Sequence, residues 1–115
     1  MKARYFFFAL ALLATAGCER LLHRSPGETL WRQNCAQCHG LDGRGNTVGY
    51  MGDAFADLRD ELWRTDGNDG AMEGVIRSGV FGKMPGFPQL TPEEVRAILD
   101  YIHGLRGERT SGTES

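Results

Sequence analysis

Cys35-Ala36-Gln37-Cys38-His39 is the most informative stretch of this chain. Two thiols three residues apart, followed at once by an imidazole, form the c-type haem attachment pattern. The spacing has a chemical reason. Cys35 and Cys38 can reach the two vinyl groups of one porphyrin and add across them as thioethers. His39 then lies beneath the ring, where a ring nitrogen can bind iron as the proximal ligand. Two other chemistries use close cysteine pairs. A redox dithiol does not require the histidine, and a zinc site needs a second Cys/His pair that this chain lacks.

The residues on either side test whether the chain is built around such a group. Upstream, Ser25 is a suitable N-cap, Pro26 suits a first helical position and Glu28 complements the positive helix end. A helix over Gly27–Asn34 is expected, with Leu30 and Trp31 on its apolar face and the two cysteines at its end. Trp31 reads as core or as packing at the haem edge. Downstream, five glycines between Gly40 and Gly52 fit a loop bending closely round a flat ring. They lack the spacing and Lys-Ser/Thr ending of a phosphate loop. A backbone carbonyl of this region is expected to accept the second N–H of His39.

Two short helices should follow, Asp57–Thr65 with Leu58, Leu62 and Trp63, and Ala71–Ser78 with Met72, Val75 and Ile76, the second capped by Asp69. Val80–Gln89 is a loop carrying Lys83-Met84-Pro85-Gly86-Phe87-Pro88. Two prolines stiffen it, which suits holding a weak sulfur ligand on iron, and the thioether of Met84 is the candidate sixth ligand. Met51 and His103 are weaker rivals; Met72 reads as core, and His23 as a solvated linker residue. Thr91–Leu105 carries the clearest helix signal. Thr91 is the cap, Pro92 follows, Glu94 closes a capping box, and Leu90 and Val95 form a hydrophobic staple. Val95, Ile98, Leu99, Ile102 and Leu105 recur at helical spacing, and Gly104 or Gly107 can end the helix. No stretch has strand periodicity.

The first 17 residues belong to export. Lys2 and Arg4 precede the apolar run Tyr5–Ala14, which is too short to span a bilayer, and Thr15-Ala16-Gly17 are small. Ala16-Gly17-Cys18 resembles the lipobox of bacterial lipoproteins, with Thr15 where leucine is usual. The resemblance implies cleavage before Cys18 and a diacylglyceryl group on its sulfur. The chain has three cysteines, and lipid would account for the one that haem does not use. Residues 18–26 would be the lipidated cysteine and a short tether, reaching roughly 26 Å when extended. Residues 27–106 would form one domain, and 107–115 a polar tail. Without the leader, 11 basic face 15 acidic residues, which excludes a general nucleic-acid binder.

Gly27-x-x-Leu30-Trp31, the Cys35–Gly40 motif, Asp57-Leu58-Arg59-Asp60, Lys83-Met84-Pro85-Gly86-Phe87 and Leu90-Thr91-Pro92-Glu93-Glu94 fall in the order seen in class I c-type cytochromes. The chain resembles the small bacterial mono-haem members over roughly residues 27–105. That resemblance implies an all-α cytochrome c fold, three to five helices around one covalently bound haem c. It implies attachment at Cys35 and Cys38, axial ligation by His39 and Met84, and one-electron transfer. Gly27 and Trp31 would pack against the last helix near Tyr101. In the family a proline often stands shortly before the leucine of the middle loop, where a carbonyl meets the proximal histidine. Phe55-Ala56-Asp57-Leu58 has none, which leaves that carbonyl open. Arg59 and Trp63 are candidates for haem propionate contacts. The expected function is electron transport by a membrane-anchored lipoprotein, facing the periplasm or the outer side of the cytoplasmic membrane. Its partners would be redox proteins or subunits of a respiratory complex. The alternative is a haem enzyme or gas-binding protein with a labile sixth ligand.

Overall fold

Ser25 starts the folded part: its hydroxyl accepts the Glu28 N–H at 3.1 Å, and Pro26 opens helix α1, Pro26–Asn34. Arg32 returns to Glu28 one turn earlier at 2.9 Å. Only Cys35 separates α1 from the single turn α2, Ala36–His39. Helix α3 runs Asp69–Ser78 and α4 runs Pro92–Leu105. The computed structural model describes residues 23–60 and 68–108. The leader, Cys18, Leu62, Trp63 and the polar tail from residue 109 lie outside the described residues. No helix among the described residues is long and apolar enough to cross a membrane. Nor do they contain a β-strand; a lone bridge joins Val80 to Met84.

Three expectations are corrected. The cap of α3 is Asn68, whose side-chain oxygen accepts the Ala71 N–H at 3.1 Å; Asp69 lies inside the first turn, where its charge favours the helix start. The helix accordingly begins at Asp69 rather than Ala71. Residues 58–60 are bends and Asp57 lies in no regular element, so the described part of the expected Asp57–Thr65 helix is not helical. Leu58 donates its N–H to the Gly43 carbonyl at 2.8 Å, and the Arg59 N–H goes to the Asp57 carboxylate at 2.8 Å. The Asp57 carboxylate closes a local turn, and Leu58 is tied back to the glycine-rich loop.

Helix α4 has its full capping box: the Thr91 hydroxyl accepts from Glu94 N–H, and the Thr91 N–H reaches the Glu94 carboxylate at 2.8 Å. Leu90 and Val95 are both buried, as a staple requires. The helix ends at Leu105, with Gly107 two residues on.

Helix α4 packs across α1. A Cβ on Gly27 would stand 2.1 Å from the Ala97 carbonyl oxygen, so the two backbones meet where Gly27 has no side chain. One turn on, Trp31 is 1% exposed, its ring centroid 5.9 Å from that of Tyr101. Trp31, Met72, Ile76, Leu90, Val95, Ile98, Leu99 and Ile102 form one apolar cluster to which α1, α3 and α4 all contribute.

The connection from α3 to α4 is pinned to the end of α3. A Cβ on Gly79 would meet the Met84 carbonyl at 2.5 Å, and Gly79 has φ +72°, a conformation open to glycine. Val80 and Met84 exchange both backbone hydrogen bonds at 2.9 Å, and Phe87 donates to the Ile76 carbonyl at 2.8 Å. Arg77 reaches forward to the Leu90 carbonyl at 2.9 Å. The Met84 backbone is therefore placed by α3.

Candidate haem site

Helix α2 ends on His39, and its position is set by three local bonds. Gly45 N–H donates to the His39 carbonyl at 2.7 Å, Thr47 Oγ1–H donates to the Cys38 carbonyl at 2.9 Å, and the Trp31 indole N–H donates to the Gly40 carbonyl at 3.1 Å. Trp31 is thus core and site wall at once, its ring centroid 5.9 Å from that of His39.

His39 Nδ1 lies 2.8 Å from the Ala56 carbonyl oxygen. A carbonyl can only accept, so Nδ1 carries the proton and Nε2 keeps its lone pair. Burial holds the imidazole below its ordinary pKa, and the Ala56 bond opposes this. A neutral imidazole with a free Nε2 is the form that binds a metal. Ala56 sits just beyond the glycine-rich region expected to supply the carbonyl. It can approach because a Cβ on Gly45 would lie 2.7 Å from Ala56 atoms, and none is there.

Next to His39 is a cavity of about 220 Å³. Cys35, Cys38 and His39 line it, together with Ala56, Met84 and Phe87. It is far larger than the ~10–15 Å³ that one water occupies, and its wall is mostly carbon. Cys35 and Cys38 are not joined to each other. Burial, and then the neighbouring Cys38, push the Cys35 thiol up to about 11, which keeps it a protonated thiol at neutral pH. Two thiols, an imidazole with a free nitrogen and a thioether around one apolar space are the donor set that covalent haem c requires.

The other candidates separate clearly. Met84 is half-buried on the cavity wall. Met51 is 77% exposed and off the wall. Met72 is buried in α3 as core, with one side toward the cavity. Both nitrogens of His103 are engaged by carboxylates, Nε2 by Asp69 at 2.8 Å and Nδ1 by Glu108 at 2.6 Å, and it is off the wall. His23 is exposed. Arg59 is not brought to the cavity: its guanidinium points to the Asp42 carbonyl at 3.5 Å. Among the described residues the wall has one basic side chain, Lys83, which was not among the residues expected at the site. Its only signal in the sequence is its place directly before Met84.

Residues 24–102 match the family described as "Cytochrome C oxidase, cbb3-type, subunit III". The cbb3-type cytochrome c oxidase subunit CcoP of Rubrivivax gelatinosus is 36% identical over 83 residues, covering 70% of this chain and 25% of the relative. CcoP of Cereibacter sphaeroides is 35% identical, with 72% and 28% covered. Subunit FixP of Bradyrhizobium diazoefficiens is 34% identical, with 72% and 28% covered. The chain spans about a quarter of the length of these curated relatives. Among solved structures, the KustC0563 c-type cytochrome matches with TM-score 0.60 and 32% identity, over 70% of this chain and 96% of that one.

Proposed function

Because the chain belongs to the cbb3-type cytochrome c oxidase subunit III family, and is a c-type cytochrome with covalently attached haem c, we propose that it is a membrane-tethered one-electron carrier ligated by His39 and Met84. Haem c supplies a one-electron iron couple. The observation that carries the reading is the His39–Ala56 bond, which leaves Nε2 free in a cavity that Met84 also lines. With an imidazole and a thioether supplied by the chain, no coordination position is left for a substrate. A methionine opposite histidine also raises the reduction potential.

Each neighbouring residue has a task in this reading. Ala56 holds the imidazole plane and its tautomer. Trp31 shields it from water, with its own indole N–H satisfied internally. The close packing of Gly79 on Met84, the Val80–Met84 bonds and the Phe87 bond to the Ile76 carbonyl hold the Met84 loop against the end of α3, limiting movement between oxidation states. Cys35 and Cys38 would hold the haem covalently as thioethers.

Cys18 carries the lipid, and the short tether keeps the domain beside a membrane complex. The relatives are oxidase subunits, and the complex served here is of the same respiratory kind. Nothing on the described wall favours the catalytic alternative, since it holds no His/Arg pair to cleave peroxide.

Met84→Ala should abolish the methionine–iron charge-transfer absorption of the oxidised protein and lower its potential. Absence of that absorption in the unmodified protein refutes Met84 as ligand. Cys18→Ala should release the holoprotein from membranes or leave it uncut. Co-purification from native membranes identifies the complex.

A further inference from the structure

We infer that Lys83 and Phe55 form a strap at the mouth of the cavity and act as positioning residues for Met84. The inference rests on Met84 being the sixth ligand. Lys83 Nζ lies 3.5 Å from the centroid of the Phe55 ring, and both side chains line the cavity. They belong to separate loops, and each sits next to an axial support. Phe55 precedes Ala56, whose carbonyl holds His39. Lys83 precedes Met84. The contact therefore couples the backbone that orients the imidazole to the backbone that carries the thioether.

The Met84 loop needs such a tie. On one side α3 holds it, through Gly79 packed on Met84 and the Val80–Met84 bonds. Its tip is open: Phe81 is fully exposed and Gly82 has nothing within 4 Å of a Cβ position. An ammonium over an aromatic face is attracted by the ring quadrupole, while the lysine stem can lie along an apolar rim. Movement of the tip away from the Ala56 segment would break the Lys83–Phe55 contact. The strap thus slows exchange of the sixth ligand without touching the metal.

The test is the rate at which added imidazole displaces the methionine–iron absorption of the oxidised holoprotein. Lys83→Met and Phe55→Leu should each speed displacement about two- to five-fold, the equivalent of one exposed cation–π contact. The double variant should be no faster than the faster single variant, and Lys83→Arg should return the rate to that of the unmodified protein. Rates that multiply in the double variant, or either single variant at the original rate, overturn the strap. Acceleration by Lys83→Met alone assigns the ammonium to a haem carboxylate and also overturns it. Lack of the absorption in the unmodified protein overturns the Met84 ligation and the strap together. Its presence with unchanged rates overturns the strap only.

Discussion

Gly45 carries more of the site than its size suggests. Its φ of +72° and the 2.7 Å approach of Ala56 leave no room for a methyl group. Gly45→Ala should push Ala56 away and break the bond to His39 Nδ1. Overpacking alone costs about 1–3 kcal/mol. The variant should therefore unfold at lower denaturant and show a shifted reduction potential, while Gly49→Ala, with nothing within 4 Å, should leave the potential unchanged despite its positive φ. Trp31 presents a second single-residue dependence. Trp31→Phe keeps an aromatic ring but removes the shorter of two hydrogen bonds to the buried Gly40 carbonyl, leaving the Gly43 N–H at 3.3 Å, at a cost of about 0.5–1.5 kcal/mol, measurable by urea melts of the holoprotein.

At the level of elements, the α1–α4 crossing and the start of α4 dominate. Gly27 allows the two helices to touch backbone to backbone, and Trp31 fills the space one turn on. Gly27→Val would force the helices apart. A cost above about 3 kcal/mol and poor recovery of holoprotein are expected, because the displaced α4 also brings Ile98 and Ile102 to the cavity. The capping box is an independent contribution: Thr91→Ala should lose about 1 kcal/mol of stability without altering the absorption spectrum. Helix α3 works differently. Its main service is to receive the Met84 loop, through its terminal carbonyls and Gly79.

Across the whole molecule, His103 ties α4 to the start of α3 and to the chain that follows α4. Its two nitrogens meet carboxylates of α3 and of the chain after α4, which both accept, so the imidazolium is the favoured form. The Glu108 bond, opposed by partial burial and aided by Asp69, raises its pKa. Arg106 extends the network to Glu108 at 2.6 Å and to the Leu58 and Asp60 carbonyls. A folded-state value above the unfolded one means that this stabilisation is complete below about pH 6.5 and is lost as pH rises through the raised value. Melting temperature should fall over that alkaline-going range in the parent protein and respond less in His103→Gln. Filling the cavity also contributes to stability, because a porphyrin seated there covers apolar wall that otherwise faces water. A chain unable to attach haem, such as Cys35→Ser with Cys38→Ser, should lose most of its helical circular dichroism.

Local chemistry was legible from the residues in order. The haem attachment motif, the Ser25 and Thr91 caps, the helical period of α4 and the stiff Met84-Pro85 loop are properties of contiguous residues, and the all-α fold with covalent haem c follows from them. Two local expectations failed: Asn68, one residue earlier, caps α3 in place of Asp69, and residues 58–60 bend where Leu58 is tied to the Gly43 carbonyl. What the tertiary structure decided has no side-chain signature. Every residue owns a carbonyl, so only the approach of Ala56 past Gly45 selects it as the partner of His39. Arg59 looked suited to a propionate, but chain direction turns it toward Asp42 and puts Lys83 on the wall instead. His103 is removed as a ligand by two carboxylates distant in sequence or beyond its helix. Contacts between segments depend on the path of the backbone, which hydrophobic burial sets collectively and no short stretch encodes.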